Sequence, residues 1–362
     1  MKIIENWWLS IDKINFILII FLGITGVILS FSANENFYYI NRHSIFFIIS
    51  ILLLVFFSQL GDKNIRRVSL VSFFMLIFML LLVLLLDFEI KGAKRWLKIF
   101  SFSIQPSEII KPFFIILTAW CIAQTINSKK YYIILLFVFF AILLSFIILQ
   151  PDLGMTILIA TTFFCQLFVA GLPLLLVFVA LGFLITMTIS SYYLFDHVKK
   201  RISSFLDSGA DTYQIDLSIK TFQSGGILGK GPGQGILKES IPEANTDFIF
   251  AVAGEELGFV FCLIIILIIL SIIIRTLIYV LKIQDPYKMI AISGLICSFG
   301  LQSLINIFSS IGLIPTKGMT LPFVSYGGSS MISISILFGF LLSLTNKNIE
   351  WLKGLCAKNL SG

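Results

Sequence analysis

Ten stretches of this chain are each apolar enough, and nearly all long enough, to cross a bilayer, and that one feature limits what it can fold into. A transmembrane helix takes about 20 predominantly apolar residues. Runs of that kind fall at 14–31, 44–60, 69–86, 109–126, 131–149, 155–170, 174–195, 248–280, 289–311 and 329–346, the sixth being short and dotted with polar residues. In lipid every backbone polar group must be satisfied internally, which makes each run a helix. Composition excludes the alternative: 58% of the 362 residues are hydrophobic and 12% charged, against roughly 45–50% and ~25% in soluble domains. Mean hydropathy is +1.02. A water-soluble core this apolar would lack the polar surface to cover it. The chain therefore reads as an all-α polytopic integral membrane protein, with a single membrane domain over 1–362. The first run exceeds the core of a signal peptide, about 7–15 residues, and is read as a retained span. Trp7 and Trp8 ahead of it suit an interfacial anchor.

An even number of spans puts both termini on one side. With the termini inside, thirteen Lys and Arg fall on inner segments and twelve on outer ones, with Lys111 inside a span, which does not choose an orientation. Their distribution is more informative. Ten of the outer twelve lie in two connections, 87–108 and 196–246. Long loops translocate with their charge more readily than short ones, so cytoplasmic termini are predicted, with 196–246 a large outer loop between helices 7 and 8. The net charge of +7 then suits membrane lipid and an anionic ligand on the outer side, or solvated loops already offset by acids, rather than nucleic acid. Five scattered cysteines and two histidines (His43, His197) give neither a disulfide framework nor zinc-ligand spacing.

The outer loop holds an amphipathic stretch, Tyr213 to Ser224, with Ile215, Ile219 and Phe222 on one face, followed by a glycine-rich run, Gly225 to Gly235. The run is not a phosphate loop: no Gly lies five residues before Gly229–Lys230, no Ser or Thr follows Lys230, and Pro232 interrupts it. A turn-rich backbone lying close to a helix or a lipid headgroup is the simpler reading.

Ionisable residues at membrane depth are a sharper signal, because each costs ~2.5–3.5 kcal/mol at a helix centre on insertion scales. Glu108 and Lys111 are three apart on one helix face, as an ion pair tying helices together or as substrate ligands. Asp152 follows Pro151 where the sixth run begins, as a helix cap or a site residue. Asp247 opens an apolar run that reaches about Leu281. As a straight helix that run measures ~50 Å against a hydrocarbon core of ~30 Å, so its first turns must protrude, tilt or bend. This sets Asp247 at the outer surface, to cap the helix or to act on a headgroup. Glu255 and Glu256 lie deeper and would suit an ion-coupled transporter, although no inverted repeat is visible.

The motifs GAKRWL (Gly92–Leu97), IQPSE (Ile104–Glu108), QPDLG (Gln150–Gly154), PEANTDFIFAVAGEELG (Pro242–Gly258) and GLIPTKGMTLPFVSYGGSS (Gly312–Ser330) together resemble the SEDS family, in order and across nearly the whole chain. PTKGMTLPF resembles its division-type members more than its elongation-type ones. The resemblance implies ten spans and a peptidoglycan glycosyltransferase in the bacterial cytoplasmic (inner) membrane, at the division septum, polymerising lipid II on the outer face. It implies a separate class B penicillin-binding protein and division regulators as partners, and no nucleotide or organic cofactor. The family's essential Asp maps onto Asp247. Asn245 stands where His is expected, so a proton-shuttle role at that position is in doubt. The leaving pyrophosphate requires cations, either basic side chains or a divalent ion such as Mg or Mn. Arg95, Lys111, Arg201 and Lys317 are the candidates, with Glu108 and Ser325 beside them, and Trp96 as a sugar-stacking face or an anchor. A lipid II flippase would need the same cavity but has less use for a lone general base.

Overall fold

The computed structural model describes residues 2–33, 37–86, 95–99, 102–150, 152–171, 213–315 and 318–346, with isolated positions at 182, 186 and 193. The predicted run 174–195 lies almost wholly outside the described residues, as do Arg201 and Lys317. The rest is helical, as the apolar runs require. A short helix, α1 (Lys2–Ser10), precedes α2 (Lys13–Ala33), α3 (Phe37–Ser58), α4 (Asp62–Leu85), α5 (Pro106–Ile126), α6 (Tyr132–Leu149) and α7 (Leu153–Val169). Then come α8 (Tyr213–Gly225), α9 (Ile249–Val280), α10 (Pro286–Ser310) and α11 (Gly328–Leu344). Seven of these are long and apolar enough to cross a membrane, and α7 and α11 are shorter apolar helices. The protein is an all-helical polytopic membrane protein. One departure from the expected pattern is a two-stranded antiparallel hairpin, β1 (Leu97–Ile99) and β2 (Phe102–Ile104), which pairs Leu97 with Ile104 ahead of α5.

Hydropathy sorts the helices into centre and rim. The spanning windows of α5 and α10 average 1.7 and are 72% and 78% buried, whereas α4, α6 and α9 average 3.0 to 3.5 and are 28% buried. Central helices have no lipid to satisfy, so they carry the amides and hydroxyls that bond between helices. Pro112 inside α5 is an example. Its missing N–H leaves the Glu108 carbonyl without a helical partner, and the Ser333 hydroxyl of α11 donates to that oxygen at 2.6 Å.

The long apolar run that opens near Asp247 bends, as its length requires. Gly258 interrupts α9 with φ 79° and ψ 177°. The break frees backbone groups at membrane depth, and the glycine-rich run supplies their partners. Phe259 and Val260 N–H donate to the carbonyls of Gly226 and Ile227, while Lys230 and Gly231 N–H donate to those of Glu255 and Glu256. A Cβ at Gly229 would lie 2.2 Å from the Glu256 carbonyl oxygen, and one at Gly258 would lie 2.3 Å from the Gly229 nitrogen, so only glycine permits the approach.

Glu255 and Glu256 lock the same junction. Fully buried Glu255 accepts from Lys230 Nζ at 2.8 Å, from Ser224 Oγ, and from the backbone N–H groups of Ile236, Leu237 and Lys238. Glu256 pairs with Lys238 Nζ at 2.5 Å and accepts from Ser32 Oγ of α2. Both carboxylates are thus engaged in holding the loop that precedes α9 against that helix. The amphipathic stretch forms α8, but its most buried positions are Leu217, Ser218, Thr221 and Gly225. Ser218 donates to the Ser310 carbonyl at 2.6 Å, and Phe222 packs edge-on against Phe250 at 5.6 Å.

Candidate active site

Asp247 sits on a tight coil immediately ahead of α9. Glu243 adopts φ 62°, and its carbonyl accepts the N–H groups of Thr246, Asp247 and, longer at 3.4 Å, Phe248. No side chain caps α9, whose N-cap is Phe248. Two other elements fix the coil. From α10, Asn306 Nδ2 and Ser310 Oγ donate to the Asp247 carbonyl at 2.9 and 3.4 Å. From the segment ahead of α11, Tyr326 N–H donates to the Asn245 carbonyl at 2.9 Å. Asn306 Nδ2 also reaches the Met319 carbonyl. Gly318, with φ 63°, comes so near that a Cβ there would lie 3.5 Å from Asp247 Oδ2. The Asp247 side chain stays partly exposed. Glu243 and Phe323, both non-glycine residues at φ 62°, flank the site; such conformations cost of order 1–3 kcal/mol each and persist where surrounding contacts enforce them.

A buried polar chain runs from α5 to the same segment. Lys111, 1% exposed, donates to Glu108 Oε2 at 2.5 Å and to Gln302 Oε1 of α10 at 2.7 Å. Gln302 Nε2 in turn donates to the Thr320 carbonyl and to Ser330 Oγ, and Thr320 and Ser330 share a hydrogen bond of 2.6 Å. A second cluster surrounds Arg95, which pairs with Asp152 at 3.5 Å and donates from Nε to the Gln150 carbonyl at 3.2 Å. Asp152 also caps α7 through Met155 N–H. Gln105 N–H donates to Ser329 Oγ, which brings the Arg95 cluster to the start of α11.

Comparison with known proteins places this arrangement. Residues 6–350 match the family described as cell cycle protein, which gathers FtsW, RodA and SpoVE. The chain belongs to this family, the SEDS proteins. Among SEDS relatives, the probable peptidoglycan glycosyltransferase FtsW of Caulobacter vibrioides is 34% identical, across 94% of this chain and 90% of its own. That of Wigglesworthia glossinidia brevipalpis is 33% identical, across 89% and 90%. The fold is also that of a chain from a peptidoglycan synthase complex, solved for its structural coordination of polymerization and crosslinking, at TM-score 0.80 and 24% identity over 93% of this chain and 98% of that one. The rod shape determining protein RodA of Thermus thermophilus superposes at TM-score 0.72 and 23% identity, over 93% and 97%.

Within this SEDS chain, the predicted site residues divide into groups. Asp247 and Ser325 lie in neighbouring segments, with Ser325 buried and its hydroxyl accepting Leu321 N–H at 2.8 Å. Glu108 and Lys111 are paired inside the bundle, while Arg95 and half-buried Trp96 stand beside the hairpin. Asn245 is 9% exposed, and its Oδ1, like that of Asn306, is a buried acceptor with no hydrogen-bond partner among the described residues. Sequence reasoning missed Gln302, Asn306 and Ser310, which hold the site together. Their spacing of four puts an amide, an amide and a hydroxyl on one face of an apolar helix, and that polar stripe was the available signal.

Proposed function

We propose that this chain is a peptidoglycan glycosyltransferase of the division type. It polymerises lipid II at the outer face of the cytoplasmic membrane during septal wall synthesis, with Asp247 as general base. The observation that carries the reading is the setting of Asp247: a partly exposed carboxylate on a coil clamped by α10 and the 318–326 segment. The 4-hydroxyl of the acceptor sugar attacks the anomeric carbon of the donor, and its proton passes to Asp247. The bond to the pyrophosphate breaks, and the lipid pyrophosphate departs. A single displacement with one base inverts the anomeric carbon, from an α-linked donor to a β-linked product.

Arg95, Lys317 and Arg201 are proposed as cations for the pyrophosphate, with Trp96 at the sugar or the interface. Lys111 and Glu108 act by holding Gln302 and through it the Thr320–Ser330 turn. Among the described residues no three His, Cys, Asp or Glu side chains are grouped to hold an ion. The saturated Glu255 and Glu256 argue against an ion-coupled transporter. A class B penicillin-binding protein and division regulators are the proposed partners.

The test is a gel assay for glycan strands from labelled lipid II, with the chain purified alongside its matched penicillin-binding protein. Asp247→Asn is isosteric and is expected to lower polymerisation by about 10²–10⁴-fold, with folding and complex formation unchanged. Strands from both proteins would remove Asp247 as the base. Strands from neither, with the complex intact, would favour a flippase.

A further inference from the structure

At the end of the bundle where α2 begins and α9 and α11 finish, far along α9 from Asp247, a cavity of about 510 Å³ opens between α1, α2 and α9. Its charged lining is Lys13, Arg275, Lys282 and Asp12, three cations against one carboxylate. Asp12 is already engaged: Oδ1 accepts the N–H groups of Ile14 and Asn15 and Arg275 Nη2 at 3.1 Å. That bond orients the guanidinium but leaves Nε and Nη1 with no hydrogen bond among the described residues. The Lys13 ammonium lies over the Trp8 ring at 5.7 Å, and neither Lys13 nor Lys282 makes an ion pair among the described residues.

Apolar surface continues from the cavity along both helices. Ile14, Ile17 and Phe21 on α2 are 50%, 56% and 41% exposed, and their spacing of three and four keeps them on one face. Ile274 and Ile278 on α9, four apart, are 53% and 50% exposed. A basic pocket joined to an apolar seam matches an amphiphile with an anionic head, whereas a soluble anion would use the pocket alone. A zwitterionic head would also require an acceptor for its ammonium, and Asp12 is committed. We propose that this cavity binds the phosphodiester headgroup of an anionic phospholipid, with the acyl chains lying along the seam between α2 and α9.

The experiment is native mass spectrometry of the full chain in detergent, with phosphatidylglycerol or phosphatidylethanolamine added at equal concentration. Phosphatidylglycerol is expected to survive delipidation and phosphatidylethanolamine to leave. The double variant Lys13→Gln, Lys282→Gln is expected to weaken phosphatidylglycerol affinity by about thirtyfold, read from occupancy across a lipid titration, and Lys282→Arg to keep it. Equal retention of the two lipids, or no loss in the double variant, would overturn the proposal. So would displacement by inorganic phosphate in millimolar excess, which would make this a site for soluble anions. Melting in lipid-free detergent checks the fold of the double variant. Should it fail to fold, Lys282→Gln alone, on an exposed side chain, makes the same comparison. The readout is binding, so its failure is distinguishable from failure of the glycosyltransferase reading.

Discussion

Lys111 has two polar partners and almost no water around it, so its charge is tolerable only while Glu108 and Gln302 accept from it. Removing one member of a buried ion pair strands the other, at a cost of ~3–5 kcal/mol, while removing both costs far less. Lys111→Met is therefore expected to destabilise the protein by about that amount, and Lys111→Met with Glu108→Gln to recover more than half of the loss in thermal melts. Polymerisation should stay depressed in the double variant, because Gln302 has lost the donor that orients it toward Thr320 and Ser330. The pair was legible in the sequence from its spacing of three. The partner from α10 was not, because nothing local to residues 108–111 reports which helix packs against them. Asp247 was legible as a carboxylate opening a helix too long for the membrane. The clamp on its carbonyl comes from residues about 60 positions further on, beyond the reach of any local pattern.

The junction between the glycine-rich run and α9 shows how two elements divide the work of a buried charge. Glu255 collects three backbone N–H groups as well as Lys230 and Ser224. Lys230→Met removes one donor from a partly exposed position and leaves the backbone donors in place. Glu255→Gln removes the charge that all of them share. Hydrogen exchange over 225–240 is expected to accelerate by about tenfold or more in Glu255→Gln and only slightly in Lys230→Met, since bonds to a charged group contribute roughly twice those to a neutral one. Similar acceleration in both would mean that the lysine, and not the backbone cradle, sets the stability of the loop. The need for a bend was readable from length alone, and the described spans lie within a few residues of most predicted runs. The place of the bend was not readable, because a glycine in an apolar helix is ambiguous until another backbone is known to touch it. The hairpin at 97–104 was missed for a related reason: three-residue strands carry too little periodicity to register.

Across the whole molecule, α5, α10 and α11 are wrapped by helices that turn their most apolar faces outward, and the ends of α2, α9 and α11 meet on one side. The cytoplasmic termini expected from the loop charges predict the outcome of labelling with a membrane-impermeant maleimide in intact cells, using a cysteine-free background. Glu239→Cys in the outer loop should react, and Lys63→Cys, between α3 and α4, should react only after the membrane is opened. The reverse pattern would invert the protein and put Asp247 on the wrong side for wall synthesis. The break at Gly258 has a consequence for how such a molecule is made and altered. The 225–231 segment supplies hydrogen bonds that α9 needs at its break, so the backbone there is satisfied only when the preceding loop is folded back on it. Anyone building chimaeras between relatives would need to move residues 225–260 as a single cassette, because a loop or a helix transplanted alone would arrive without its complement.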